Sequence, residues 1–180
     1  MDRTATEEFP CAAITEDHIL TASGTNMSVQ DRMTDAVLKR IRLGASTRRA
    51  ACGLVLNVDG TAKSFVMVGG AQGTFSGYQT TIMIYDVKSE SVTVRSLGVA
   101  GGIAHAATAS YGRSFLLFGG GNPTIYLDTI YKFDENTNAL VLLEKKLSFG
   151  TWRMAVVRVK SNLFCKAGTH FNLIGEKAIG

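Results

Sequence analysis

Several things are scarce in this sequence. It has two prolines, one tryptophan and 19% charged residues, whereas 46% of its 180 residues are hydrophobic, so its composition is not that of a disordered segment. No apolar run approaches the ~20 residues that a membrane-spanning helix needs. The acidic start of the chain also lacks the basic and apolar regions of a signal peptide. These absences predict a folded protein with no membrane partner, and we expect it to be cytoplasmic.

Cysteine is sparse as well. Cys11, Cys52 and Cys165 lie in or beside apolar runs, and their odd number and spacing predict neither a disulfide framework nor a metal clip. We expect each to be a small buried apolar side chain. The three histidines are scattered, and the sequence contains no paired carboxylates, no nucleophile with a base and no phosphate-binding loop. It therefore predicts no metal, no cofactor and no enzymatic activity.

What the chain has in abundance is glycine, with 19 residues, and some of it is periodic. Apolar runs end in glycine at positions 24, 70, 120 and 168, in steps of 46, 50 and 48 residues. The clearest copies are residues 65–70 and 115–120, each of which ends in Gly-Gly. A period of this size, built on an apolar strand, predicts a repeat architecture.

A second feature repeats in the same order. Residues 81–86 and 129–134 share a frame of Thr-Ile, two variable positions, an aromatic residue and Asp. The sequence here resembles the kelch repeats, whose units each form a four-stranded blade of a β-propeller. At the position where that family has tryptophan, this chain has Val92 and Leu140. The resemblance implies an all-β fold of kelch-type blades.

The repeat spacing predicts a partial or open array of about three to four units. We expect a degenerate first unit at 1–48, kelch repeats at 49–103 and 104–152, and a partial repeat with a tail at 153–180. In the first unit a pair of strands is expected to be missing or shrunken, because only 24 residues separate Gly24 from Arg49. Near residues 34–43 the pattern fits either a short helix, capped by Thr34 and stopped by Gly44, or a degenerate outer strand.

The apolar runs of the second strands are continuous, which is typical of strands that are buried on both faces. Two complete blades, one shrunken blade and a half blade are too few for a ring, since propellers typically have about four to eight blades. We therefore expect each open end to expose a face lined by Val, Leu and Phe. The chain would then be a fragment of a longer protein or would self-associate through these faces.

With an apparent scaffold and no catalytic constellation, we expect a non-enzymatic protein–protein interaction module. The resemblance implies that loops between the strands grip a protein partner. The loops 71–79 and 121–128 follow the glycine pairs and differ between repeats, and their candidate contact residues are Phe75, Tyr78, Asn122 and Tyr126. The alternative is a propeller-type enzyme, either similar to galactose oxidase or sugar-processing, because some kelch-like propellers have such activities.

A basic run extends over residues 39–49 and contains Lys39, Arg40, Arg42, Arg48 and Arg49. Such a run can bind nucleic acid, but this one has no interleaved aromatic residues and no recognised nucleic-acid module around it. We interpret it as a solvated face. Arg49 and Arg153 also share a repeat position ahead of a first strand, which indicates that part of the charge is architectural.

Overall fold

The computed structural model describes residues 11–72, 76–151, 155–159, 162–167 and 170–175. These residues form fifteen strands and no helix, so the all-β prediction is confirmed. Within this part of the chain there is no helix with the length and hydrophobicity to span a membrane. The strands are β1 (Cys11–Ile14), β2 (His18–Ser23), β3 (Asn26–Asp31), β4 (Val37–Arg42), β5 (Ala51–Leu56), β6 (Ala62–Val68), β7 (Thr81–Asp86), β8 (Ser91–Ser96), β9 (Ala107–Tyr111), β10 (Ser114–Phe118), β11 (Thr129–Asp134), β12 (Ala139–Lys146), β13 (Ala155–Val159), β14 (Asn162–Ala167) and β15 (His170–Gly175).

The strands form four consecutive antiparallel sheets, in which each strand pairs with its neighbour in sequence. The first sheet is β1–β4, the second β5–β8, the third β9–β12 and the fourth β13–β15. The first strands of successive sheets lie side by side, β1 by β5, β5 by β9 and β9 by β13. Among the described residues, the first and last sheets share no strand.

The second strands of the middle sheets are buried on both faces, as their continuous apolar runs predicted. In β6, Phe65 and Met67 pack in the core between the first and second sheets, whereas Val66 and Val68 pack in the core between the second and third. Likewise Leu117 in β10 faces the second sheet and its neighbours in sequence face the fourth. Each pleated strand thus contributes to two cores, which is why its sequence does not alternate.

The glycine pairs lie where backbone meets backbone. Gly70 has a φ of +113°, and a Cβ there would lie 2.9 Å from the carbonyl oxygen of Arg48. Gly120 occupies the same place in the third sheet, with a φ of +92°, and a Cβ there would lie 2.9 Å from the carbonyl oxygen of Ala104. Glycine is required here both for the left-handed backbone and for the close approach.

Of the two alternatives near residues 34–43, the short helix is wrong and the outer strand is present, because β4 occupies Val37–Arg42 and pairs with β3. The prediction of a missing or shrunken strand pair is also wrong, since β3 and β4 have six residues each. What is short is the connection: only Gly24 and Thr25 separate β2 from β3, where twelve residues separate β6 from β7. The fourth sheet, expected to end with its second strand, continues into β15.

The prediction of an apolar open face is wrong for the first sheet. In β2, Leu20 and Ala22 are buried against the second sheet, so the alternate positions Thr21 and Ser23 lie on the opposite face. Polar groups follow on the neighbouring strand, where Ser28 forms a 2.6 Å hydroxyl–hydroxyl hydrogen bond with Thr21. This outer face is therefore compatible with water. For the last sheet, the prediction falls on side chains outside those described.

The prediction that the chain contains no disulfide is wrong. Cys11 in β1 is bonded to Cys52 in β5, with their Cα atoms 5.7 Å apart and 41 residues apart in sequence. The spacing of the cysteines gave no hint of this bond, because it joins the adjacent first strands of two sheets. Cys165 is buried as predicted, and burial raises the pKa of its thiol to about 11.

Candidate partner-binding site at one end of the sheets

The loops that follow the glycine pairs lie at one end of the sheets. Because neighbouring strands run in opposite directions, the connections after each second strand emerge at the same end as the connections between sheets. Gly69 and Gly70 stand at this end, and the amide of Gly70 donates a 2.8 Å hydrogen bond to the carbonyl of Ile103. The loops 69–80, 97–106 and 119–128 therefore meet there.

The loop 119–128 is ordered by the side chain of Asn122. Its Oδ1 accepts hydrogen bonds of 2.9 Å from the amides of Thr124 and Ile125 and from the Thr124 hydroxyl. Asn122 therefore begins an Asx-turn, in which the asparagine side chain accepts hydrogen bonds from backbone amides that follow it. Backbone bridges from Gly121 to Ala104 and to Tyr126 attach the loop to its base. Asn122, one of the predicted contact residues, thus shapes the loop.

The loop 69–80 is attached in a similar way. A backbone bridge joins Ala71 to Tyr78, and the amide of Gln79 donates a 2.8 Å hydrogen bond to the carbonyl of Gly70. The side-chain amide of Gln79 donates to the carbonyl of Gly77 at 2.8 Å. These bonds hold Tyr78 at the base of the loop. Phe75, the remaining predicted contact residue, lies outside the described residues.

Tyr78, Asn122 and Tyr126, which were predicted from two different repeats, lie around one pocket of about 280 Å³. Ile125 and Tyr126 are each 57% exposed at its edge. The residues that line the pocket are all uncharged: Tyr78, Gly121, Asn122, Pro123, Thr124, Ile125 and Tyr126. Ile125 was not among the predicted contact residues, although an apolar side chain in a glycine- and proline-containing loop could have indicated it.

An uncharged pocket with two tyrosines suits an apolar or aromatic group. Tyrosine offers a large, rigid apolar surface together with a hydroxyl that can hydrogen bond at the edge of a contact. A nearby pair of opposite charges, Asp128 and Lys146 at 3.4 Å, adds no net charge to this region. The arrangement can hold a partner's side chain by burying it between the two loops. Among the described residues that line this pocket there is no carboxylate, histidine, lysine or cysteine.

The basic run 39–49 does not form one surface. Lys39 is paired with Glu90 of the second sheet, and Arg48 donates to the carbonyl of Gln72 at 3.4 Å. Arg49 is buried, with a φ of +61°. His105 has the equivalent place before β9, has a φ of +59°, and its amide donates to the carbonyl of Arg49 at 2.9 Å. The charge is thus divided among several environments.

Three aspartates at the ends of the third strands have lowered pKa values. Asp86 accepts hydrogen bonds from the amide and hydroxyl of Ser89, at 2.7 and 2.8 Å, and these lower the pKa of its carboxyl group. Amide hydrogen bonds lower the pKa of Asp31 and of Asp134 in the same way. Each carboxylate closes a turn between strands, so these residues are structural. Among the described residues, no three metal-ligating side chains come together.

Comparison with known proteins places the fold and goes no further. No family model matches the chain, and no curated protein matches it in sequence. Among solved structures, the chain is similar to one described as the structure of YjhT, with a TM-score of 0.68 and 15% sequence identity. The match covers 93% of this chain, which spans 65% of the length of that structure. At this identity the similarity is one of fold alone.

Proposed function

We propose that this chain is a non-enzymatic protein–protein interaction module built from kelch-type β-propeller blades. The partner is held by the loops 71–79 and 121–128, with Tyr78 and Tyr126 as the anchoring side chains. The observation that carries the proposal is that these tyrosines, which come from two different repeats, line the same uncharged pocket.

The arrangement of the sheets supports the blade interpretation. The first three sheets are four-stranded antiparallel meanders, and their first strands lie side by side as the innermost strands of neighbouring blades would. Repeats of this kind present variable loops on a constant framework of strands. The aspartates that close the turns and the glycines that pack at the strand ends belong to the framework. The loops that differ between repeats are left for binding.

The burial of the loop residues supports the choice of anchors. Binding energy at protein interfaces is concentrated in a few residues, among which tyrosine is enriched. Tyr126 and Ile125 expose more than half of their surface, and the hydrogen bonds around Asn122 fix the backbone on which they stand. A preformed loop loses little conformational entropy on binding.

Site-specific photocrosslinking tests the proposal. A benzophenone amino acid replaces Ile125 in one sample and Val58, which is 88% exposed at the opposite end of the second sheet, in the other. Irradiation in the native host is followed by mass spectrometry of the adducts. We expect the label at position 125 to give a partner adduct that the label at position 58 does not give, whatever other adduct forms at that end of the sheets.

The purified partner is then used to compare variants. Tyr78→Ala/Tyr126→Ala should weaken its binding at least tenfold, whereas the control Val58→Ala/Val94→Ala, which removes exposed apolar side chains elsewhere, should leave it unchanged. Equal binding by both double variants would contradict the proposed site. Stoichiometric copper or zinc in the protein purified from its host would instead favour the propeller-type enzyme.

A further inference from the structure

A second and larger cavity lies at the end of the sheets opposite the tyrosine pocket. It has a volume of about 600 Å³ and lies between the first and second sheets. Its walls include the turn between β1 and β2, at residues 15–17, and residues 59–61 of the turn between β5 and β6. We call it the acidic cleft.

The floor of the acidic cleft is apolar. It is formed by Leu54, Leu56, Ala62 and Val87, and Ile14 lies at its edge. Ile14 is 62% exposed, and the others except Ala62 are large aliphatic side chains that the sheets leave only partly covered. An aliphatic side chain from another molecule could remove this surface from water and gain about 25 cal/mol for each Å² buried.

The equivalent place between the second and third sheets is bridged. There Glu135 forms ion pairs with Arg113 at 3.0 Å and with Lys63 at 3.8 Å. The amide of Leu56 also donates a 2.7 Å hydrogen bond to the carbonyl of Arg113. In the acidic cleft, Arg32 turns back onto its own sheet and donates to the carbonyls of Thr15 and Glu16 at 3.4 and 3.3 Å. The first junction is therefore open where the second is bridged.

The rim of the cleft is negative in a protein that is positive as a whole. Glu16, Asp17, Asp59 and Arg32 line the cleft, so three carboxylates and one guanidinium leave two negative charges in excess, whereas the chain has a net charge of +4. Hydrogen bonds from the hydroxyl and amide of Thr61, at 2.6 and 2.9 Å, lower the pKa of the Asp59 carboxyl group. The local field thus favours a cation that the overall charge would repel.

We propose that the acidic cleft docks a basic peptide segment of another protein, which inserts an aliphatic side chain over Ile14 and Leu56. Lysine or arginine residues on either side of that side chain face Glu16, Asp17 and Asp59. The proposal adds a second interaction surface, with different chemistry, to the proposed tyrosine pocket at the other end of the sheets. It does not depend on that pocket.

Fluorescence anisotropy with defined peptides tests this inference. The probe is a fluorescein-labelled nine-residue peptide of alternating lysine and leucine, compared with lysine–serine and glutamate–leucine peptides of the same length. We expect the lysine–leucine peptide to bind at least tenfold more tightly than either of the others. Its affinity should fall as salt is raised, because the rim charges are exposed.

Variants locate the binding. Glu16→Gln/Asp17→Asn and, separately, Ile14→Ser should each weaken the binding of the lysine–leucine peptide at least fivefold. Both variants change exposed side chains, and circular dichroism checks that the fold is kept. The control Asp128→Asn/Glu144→Gln removes the same charge from elsewhere and should bind as the unmodified protein does, as should Tyr78→Ala/Tyr126→Ala.

Four outcomes would overturn the inference. One is equal affinity for the lysine–leucine and lysine–serine peptides, which would mean that the apolar floor is not used. Another is no binding at all, and a third is binding that Glu16→Gln/Asp17→Asn leaves unchanged. The fourth is self-association, measured by sedimentation, that Ile14→Ser abolishes, since the cleft would then belong to a second copy of the chain.

Discussion

The second sheet is buried on both faces, but its two interfaces are built from different side chains. The interface with the third sheet is lined by aliphatic side chains of the second sheet and by Phe115 and Phe133 of the third, whose stacked rings have centroids 5.2 Å apart and planes inclined by 8°. The interface with the first sheet also contains aromatic rings, those of Phe65 and Tyr85, but it differs in being rich in sulfur, with Met27, Met67 and Met83 in its core. The disulfide Cys11–Cys52 links the two sheets on that side.

The difference indicates two ways of fixing one sheet against another. Toward the third sheet the fit is steric: Gly53 leaves room for the Phe115 ring, and a Cβ at position 53 would overlap it. Toward the first sheet the core contains methionines, which are fully buried and are of the flexible kind that fills irregular gaps. At this interface the disulfide Cys11–Cys52 adds a covalent link that helps to hold the two sheets together.

The largest expected effect is at the steric interface. Phe115→Ala should lower the free energy of unfolding by about 3–5 kcal/mol, because it removes a fully buried ring and leaves a cavity. Met67→Leu, which nearly conserves volume on the opposite face, should cost less than about 1.5 kcal/mol. Urea unfolding followed by fluorescence measures both. Equal losses would mean that the two interfaces are packed alike.

Removal of the disulfide should have the next largest effect. Cys11→Ala/Cys52→Ala should destabilise the protein by about 2–4 kcal/mol, because the bond closes a loop of 41 residues in the unfolded chain. Dithiothreitol should bring the unmodified protein close to the stability of the double variant and leave the variant itself unaffected. If the reductant changes neither protein, the first interface does not depend on the bond.

Gly69 and Gly70, at the end of the second sheet, each approach a different neighbouring sheet. A Cβ on Gly69 would meet the backbone of Ile103, on the third-sheet side, whereas a Cβ on Gly70 would meet Ser46 and Arg48, in the connection from the first sheet. We expect Gly70→Val, and likewise Gly120→Val in the third sheet, to cost about 1–3 kcal/mol or more through backbone strain. Gly24→Ala is the control, since its positive φ is not accompanied by any atom within 4 Å. Losses at positions 70 and 120 no larger than that of the control would show that the close approach is unimportant.

Local patterns in the sequence predicted much of the framework. The continuous runs of β6 and β10 predicted strands buried on both faces, and the period of the runs that end in glycine predicted repeated units. Tyr78, Asn122 and Tyr126 could be chosen because they lie in loops that differ between repeats. Each of these predictions depends on short segments of the sequence.

The parts that were mispredicted depend on residues distant in sequence or on a variable connection. The first sheet was interpreted as incomplete because only 24 residues separate Gly24 from Arg49, but its third strand fits in that span, since Asp31 follows Gly24 by seven residues instead of the 14–16 of the other units. Asp31 ends β3 just as Asp86 ends β7. The disulfide and the acidic cleft need the first two sheets side by side, which no local pattern encodes.

The smallest expected effect concerns the pH dependence of stability, and it should be similar in the first, second and third sheets. Asp31, Asp86 and Asp134 close equivalent turns in the first, second and third sheets, and hydrogen bonds lower the pKa of each carboxyl group. A group with a lowered pKa in the folded state stabilises the fold above its unfolded pKa, near 4, and that contribution is lost as the pH falls through the folded pKa. Asp31→Asn/Asp86→Asn/Asp134→Asn keeps an acceptor in each turn but cannot titrate. The urea midpoint should therefore decrease less between pH 7 and pH 3 in this variant than in the unmodified protein.

The three single variants divide this difference among the sheets. Since one turn lies in each of the three sheets, each single variant should account for a similar share of it. An identical fall in both proteins would show that these turns do not contribute to acid sensitivity.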